Sequence, residues 1–367
     1  MKMIKSKINI SLVIVIFFCI SYLIKKRLSE KKLSPLGFSL KTENFLEMVK
    51  RSNVDHKHYL GAPYVELGLF GSELPKYLKY KEKLLTMSEL GQGTCNACWS
   101  FTVTQMIADR ISVMTGGKIF RPLSAQEMIS CFRNGNSNTG CKIGGIPEKS
   151  YYYIADNGIA TQKDYEYLQR NTNHIHGCQK DKLNGFRTFI QKKSIKNICQ
   201  DPYIYKEGSD RYNKVVAKNV LNMKKELLQN GSFVGTIYVK DSMHNYDGKS
   251  VYRGGCDDDS KGYGHAVTII GYAECGVNKN EKNFNYPYWI VKNSWGSSWN
   301  ASNNGYFYIE MGKNICGIES RASSAIPVIT QEIKDNMVDL NESRYITYDS
   351  YVNDPERENY FAKVGSK

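Results

Sequence analysis

The sequence carries no internal repeat, which removes architectures built from stacked identical units. It is short of acid: 36 Asp and Glu stand against 50 Lys and Arg, a formal net charge of +14. That excess would suit nucleic acid or an acidic surface. The lysines, however, are spread along the chain, often beside asparagine and tyrosine, rather than gathered into one patch. A solvated basic surface is expected, and no nucleic-acid partner. Long apolar runs are absent too. The unbroken run Leu12 to Ile20, inside Ile8 to Ile24, is short for a membrane span. Lys2, Lys5 and Lys7 precede it, and Lys25, Lys26 and Arg27 follow. It suits a signal-peptide core with Cys19 and Ser21 as the best small pair for cleavage, while an uncleaved anchor, giving membrane association through residues 8–24, stays open.

At 367 residues the chain can bury a large core. Of its ten cysteines, Cys19 falls in the apolar segment and Cys98 in a motif described below. The other eight, an even set behind a targeting segment, read as disulfides formed in an oxidising compartment. Sequons at Asn230, Asn300 and Asn341 are compatible with glycosylation.

Residues 25–73, with a helix-like stretch from Leu40 to Val49 and breaks at Gly61-Ala62-Pro63 and Gly68 to Pro75, read as a removable pro-segment. From Ser100 to Met114, Phe101, Met106, Ile107, Ile111 and Met114 fall near helical spacing, so one buried face is expected. Ser124 and Glu127 form a capping box for a second helix, and Gly140 to Gly145 a loop. Gln162 to Tyr212 is polar without sustained periodicity and reads as a surface insertion. Strands are predicted at Phe233–Val239, Ala266–Tyr272, Tyr288–Lys292 and Tyr306–Glu310. Helices early and strands late imply an α+β fold in two lobes with a cleft between them. The polar stretch 328–367 is either a flexible extension or a wrap around the body.

Three segments carry chemistry: Gln92 to Phe101, Gly264-His265-Ala266, and Val291 to Gly296. A cysteine nucleophile works as thiolate and needs a nearby cation or helix N-terminus, and Cys98 directly precedes the predicted helix. His265 supplies a base and Asn293 a group to orient it. Cys95-Asn96-Ala97-Cys98 is also a pattern that redox sites and zinc sites use, and a lone histidine or asparagine more often serves the core. Joint occurrence favours the peptidase reading; a thiol-disulfide oxidoreductase and a catalytically silent binding protein are the alternatives.

In their order and content these segments resemble the papain-like cysteine peptidases, over residues 74–327. Ala108 to Ile111, Ile198-Cys199 with Pro202-Tyr203, Tyr288-Trp289 and Cys316 to Ser320 are similar to cathepsin B-like members. The family spacing between cysteine and histidine is about 130–150 residues; here it is longer, as insertions of the cathepsin B kind would produce. The resemblance implies Cys98 as nucleophile, His265 as acid and base, Asn293 as its orienter, and Gln92 with the Cys98 N–H as oxyanion hole. It implies Trp295 over the Asn293–His265 contact and Gly144 and Gly145 along the substrate backbone, although Ile143 interrupts the family spacing there. It further implies bridges Cys95–Cys141, Cys131–Cys178 and Cys256–Cys316. Asn96 stands where glycine is usual, a position that asparagine can fill with left-handed backbone.

Two departures bear on specificity. Arg-accepting relatives carry an acid five residues beyond the cysteine matching Cys316, whereas Arg321 stands here. Weak cleavage after Arg-Arg and tolerance of an acidic P2 residue follow, unless Arg321 is a surface residue. His174-Ile175-His176 lies near the place where cathepsin B presents histidines to a substrate C-terminus, and solvated loop residues are the plainer account. The expectation is a monomeric endopeptidase, made as a zymogen in the secretory or endolysosomal route, acting on protein or peptide substrates with no cofactor and no metal.

Overall fold

The computed structural model describes residues 74–86, 91–134, 137–138, 141, 144–168, 176–239, 241–248, 250–254, 263–274, 286–299, 304–338 and 345–347. The apolar segment 8–24 and the pro-segment 25–73 lie outside them, as do Cys256, Cys275, His174 and Ile175. No helix among the described residues is long and apolar enough to cross a membrane.

The fold is α+β and two-lobed. One lobe is helical: α1 (Cys98–Met114), α2 (Ala125–Cys131) and α3 (Pro147–Asn157) enclose a core of Trp99, Met106, Ile107, Met128, Ile129, Tyr151 and Ile154. The other is an antiparallel sheet made of β1 (Tyr77–Tyr80), β2 (Lys196–Asn197), β3 (Phe233–Val239), β4 (Tyr263–Ala273), β5 (Tyr288–Lys292), β6 (Tyr306–Glu310), β7 (Ala322–Ser324) and β8 (Tyr345–Thr347). Its order is β6-β5-β4-β3-β7-β2, with β1 joined to the far half of β4 and β8 to β1. A second core, including Leu78, Phe233, Ile269, Tyr272, Trp289 and Phe307, fills this lobe. The runs that predicted β3, β5 and β6 match those strands end to end, and β4 extends its run at both ends.

Helix α1 is not amphipathic. Every residue from Trp99 to Val113 is buried, polar ones included, because the helix packs against α3 on one side and the sheet on the other. Its two threonine hydroxyls are satisfied within the helix, Thr102 Oγ1 donating to the Cys98 carbonyl and Thr104 Oγ1 to that of Ser100, both at 2.8 Å, while Ser100 Oγ donates to the Ala125 carbonyl of α2 at 2.8 Å. Ser124 Oγ accepts the Glu127 amide at 3.0 Å and caps α2. The Glu127 carboxylate turns instead to Tyr153, Arg187 and the Ala160 amide.

The segment 162–212 is not a surface insertion. Tyr165, Ile190, Ile195 and Ile198 are buried, and β2 extends the main sheet. Scattered single apolar residues, rather than a periodic run, make those contacts. Helix α4 (Asp210–Asn230) follows, capped by Ser209 and closed before Gly231; Tyr212, Val216, Met223 and Leu227 give it a helical stripe. Beyond Pro327 the described residues 328–338 and 345–347 lie against the body: α6 (Gln331–Asp335) follows, α5 being the short turn Asp241–His244, then Val338 donates to the Met114 carbonyl at 3.1 Å, and β8 pairs with β1.

Cysteines 95 and 141 are bridged, as are 131 and 178. Cys316 is disulfide-bonded, to a partner outside the described residues. Cys199 departs from the expectation that all eight pair: it is a buried free thiol, and burial raises its pKa well above the ordinary value. At Asn230, half-buried at the end of α4, the side-chain amide donates to Glu226 at 2.9 Å.

Candidate active site

Cys98 is the first residue of α1, and no side chain caps that end. The free N–H groups of the first turn are therefore available to a negative sulfur. The approach loop is held in place by the Cys95–Cys141 bridge and by the Asn96 amide on the Cys141 carbonyl at 3.0 Å. Asn96 itself is not left-handed: the non-glycine residues with positive φ among those described are Asn304, Asn314 and Cys316.

The loop also touches the other lobe. Gln92 N–H donates to the Ser294 carbonyl at 2.8 Å, and Ser294 Oγ donates to Gln92 Oε1 at 2.7 Å. Gly91, at φ +63°, lets the two backbones approach, since a Cβ there would fall 2.4 Å from the Gly296 nitrogen. Gln92 Nε2 donates to the Cys95 carbonyl at 2.8 Å; an amide nitrogen carries two hydrogens, so one remains for a substrate oxygen. Gly144 packs on Asn96, and a Cβ on Gly145 would sit 2.4 Å from the Trp99 indole, so both glycines lie against the nucleophile loop and the first turn of α1.

His265 lies near the start of β4, and Asn293 directly follows β5. Their contact is His265 Nε2 to Asn293 Oδ1 at 2.7 Å, with both residues buried. Asn293 Oδ1 also accepts the Ser294 amide at 2.8 Å, which fixes the orientation of the carboxamide. An amide oxygen only accepts, so Nε2 carries the hydrogen and Nδ1 is left to take a proton. The Trp295 ring lies 4.9 Å from the imidazole and shields the contact from water.

The amide of Ala266, the residue after His265, faces the Cys98 sulfur. Cys98 is half-buried. Burial pushes the thiol pKa up, opposed by the amides of Ala266, Trp99 and Cys98. Burial likewise lowers His265 to about 4, against the Asn293 bond, and the charge of His244 lowers it further. Taken singly each group prefers to be neutral. Transfer of one proton makes a thiolate and an imidazolium whose mutual attraction in a low dielectric opposes both penalties.

Sequence reasoning missed a buried ion pair behind the site. Lys292 Nζ meets Asp109 Oδ2 and donates to the Thr86 carbonyl at 2.7 Å, with both charged residues fully buried. Asp109 Oδ1 accepts the Thr86 amide and hydroxyl at 2.6 and 2.8 Å. A lysine ending an otherwise apolar strand was the available signal. It missed His244 as well, which stacks on Trp295 and which nothing in the local sequence marks. Arg321 lies just before β7, where its carbonyl accepts the Thr236 amide of β3 at 2.9 Å. Burial pushes its guanidinium down to about 9. Of the pair flanking Ile175 only His176 is described, half-buried.

A model of the papain family cysteine protease matches residues 74–326. Pro-cathepsin H of Mus musculus is 30% identical over 258 residues, covering 70% of this chain and 66% of that protein. Cathepsin B-like cysteine proteinase 5 of Caenorhabditis elegans is 31% identical over 256 residues, covering 64% and 68%. The chain spans about two-thirds of the length of the curated relatives it matches. Among solved structures, proCathepsin B S9 from Trypanosoma congolense shares the fold with a TM-score of 0.54 and 24% identity, covering 74% of this chain and 84% of that one.

Proposed function

The chain belongs to the papain family of cysteine proteases, and from that premise we propose that it is a cysteine endopeptidase acting on protein or peptide substrates. The observation that carries the reading is the 2.7 Å His265–Asn293 contact set beside Cys98 at a helix N-terminus. In the proposed reaction His265 takes the Cys98 proton, the sulfur attacks the scissile carbonyl, and the Cys98 amide with Gln92 Nε2 holds the oxyanion. The tetrahedral species collapses to a thioester as His265 returns the proton to the leaving amine. Water, deprotonated by the same imidazole, then releases the acid and restores the thiol. Asn293 keeps the ring aligned throughout.

The test is labelling of the activated protein with an epoxide-type thiol probe, the modified site mapped by peptide mass analysis. Labelling at Cys98 together with peptide hydrolysis, both lost in Cys98→Ala, is expected. Disulfide reduction without hydrolysis would establish the oxidoreductase reading instead. Activation from a zymogen and a secretory or endolysosomal location are part of the same proposal, supported by the disulfides and by the likeness to pro-cathepsins.

Arg321 supports a finer reading, in which a half-buried cation disfavours arginine at P2. Paired fluorogenic peptides with Arg, Leu and Glu at P2 check it. Leu and Glu are expected to be cleaved faster than Arg, and an Arg preference overturns it.

A further inference from the structure

The proposed oxyanion hole needs two donors to converge on one oxygen, and the two are mounted differently. The Cys98 N–H belongs to α1, whereas Gln92 sits in a loop between Gly91 and Gly93, at φ +63° and +60°. Glycine on both sides leaves the Gln92 peptide free to rotate unless hydrogen bonds hold it. Its N–H and Oε1 are held by Ser294 of the sheet lobe, at 2.8 and 2.7 Å. Its contacts with Cys95, Nε2 on the Cys95 carbonyl and the Cys95 N–H on its own carbonyl at 3.4 Å, stay within the loop. Tyr167 ties it to the helical lobe, the tyrosine hydroxyl donating to the Gln92 carbonyl at 2.6 Å. The Tyr167 ring meets Phe101 edge to face, with centroids 4.8 Å apart, and Phe101 lies on α1 one turn beyond Cys98. The flanking backbone is fastened to α2: the Leu168 N–H donates to Gln126 Oε1 at 2.8 Å, and Ser124 Oγ, at the α2 cap, donates to the Tyr165 carbonyl at 2.6 Å. Phe101, Gln126 and Ser124 are buried, so these anchors belong to the packed body of the lobe.

We propose that Tyr167 is a positioning residue for the oxyanion hole: it keeps the Gln92 peptide in register with α1, so that Gln92 Nε2 and the Cys98 N–H point at the same oxygen. This rests on the catalytic reading above. Tyr167 acts through Gln92 and not on the reacting atoms. With the N–H fixed by Ser294 and the carbonyl fixed by Tyr167, both peptide planes adjoining the Gln92 α-carbon are set, and with them the direction of the side chain. Without the hydroxyl, the carbonyl keeps only the long bond from the Cys95 N–H. The Gln92 peptide then follows Ser294, on the lobe opposite Cys98, and the two donors lose their common target. A donor displaced from the place of the oxyanion stabilises the transition state less while ground-state contacts remain, so the loss falls on kcat.

Tyr167→Phe tests this, because it removes the hydroxyl and keeps the ring on Phe101. On a neutral fluorogenic peptide kcat is expected to fall roughly five- to fiftyfold, less than for loss of the Gln92 donor itself, with KM within about twofold of wild type. Alkylation by iodoacetamide, followed at Cys98 by peptide mass analysis, needs the thiolate but forms no oxyanion, and is expected to keep its wild-type rate. In the Gln92→Ala background Tyr167→Phe is expected to change kcat by less than about twofold, since the residue it positions is gone. An unchanged kcat in Tyr167→Phe, or a rise in KM at constant kcat, overturns the proposal. So does an equal loss with and without Gln92. A parallel fall in Cys98 alkylation overturns it too, because the effect would then lie on α1 and the sulfur. Peptide hydrolysis by the wild-type protein, lost in Cys98→Ala, leaves the peptidase reading standing whichever way these results fall.

Discussion

Gln92 is held by polar contacts from both lobes: its N–H and Oε1 on Ser294, its Nε2 on the Cys95 carbonyl, and its carbonyl under the Tyr167 hydroxyl at 2.6 Å. A donor fixed before substrate arrives costs no reorganisation when the oxyanion forms, and losing one such donor typically lowers kcat about 10²–10³-fold. Gln92→Ala is expected to lower kcat in that range with little change in KM, measured on a neutral fluorogenic peptide. A rise in KM at constant kcat would mean that Gln92 serves ground-state binding. At this scale the sequence was informative: Cys98, His265, Asn293 and Gln92 were named from motif order, and the fold brings them together. It said nothing of His244, because stacking on Trp295 joins residues from two loops that no local pattern links.

At the scale of elements, the pair Asp109–Lys292 ties the helix that carries Cys98 to the strand that Asn293 follows. Burial pushes the Asp109 carboxyl up and the Lys292 ammonium down, and each charge opposes the shift of the other. Such a pair adds little over an apolar isostere, but breaking it leaves an uncompensated buried charge worth about 3–5 kcal/mol. Lys292→Met is expected to destabilise the protein by that amount in urea unfolding of the inactive Cys98→Ala background. The double variant Asp109→Leu/Lys292→Met is expected to recover most of the loss. Strands β3, β5 and β6 were legible because their apolar runs are dense. The all-round burial of α1 was not, because Ser100, Thr104 and Ser112 look solvent-facing until other elements cover the helix, as α2 does at Ser100.

For the whole molecule, buried acids set the dependence on pH. Burial raises Glu148, Asp201 and Glu319 each to about 7. A carboxyl raised in the folded state favours folding below its unfolded pKa, near 4, and that contribution is lost as pH rises through 7. His265, lowered to about 4, works in the opposite sense, since its contribution is lost as pH falls through 4. Glu226 is lowered to about 2 because Arg110 and Lys196 outweigh its burial, so its share persists until strong acid. Between pH 4.5 and 7 these three acids, with Asp109 raised in the same direction, outnumber His265 among the described residues, so stability is expected to fall as pH rises. Each fully titrating group supplies a slope of about 1.4 kcal/mol per pH unit. Urea midpoints of Cys98→Ala across this range check it, with Glu148→Gln expected to flatten the trend; a midpoint that climbs toward pH 7 would refute it. This fits a protein stable in an acidic compartment.

The sequence by itself determined the family, the two-lobed α+β class and the chemical identity of the site, since those follow from residue types in fixed order and from dense apolar runs. Tertiary structure alone decided that Cys199 stays a thiol, that 162–212 belongs to the body, and that β8 closes on β1. It also decided which groups flank the imidazole. Burial, stacking and charge pairing arise between segments far apart in the chain, and their energies depend on distances that no local pattern encodes.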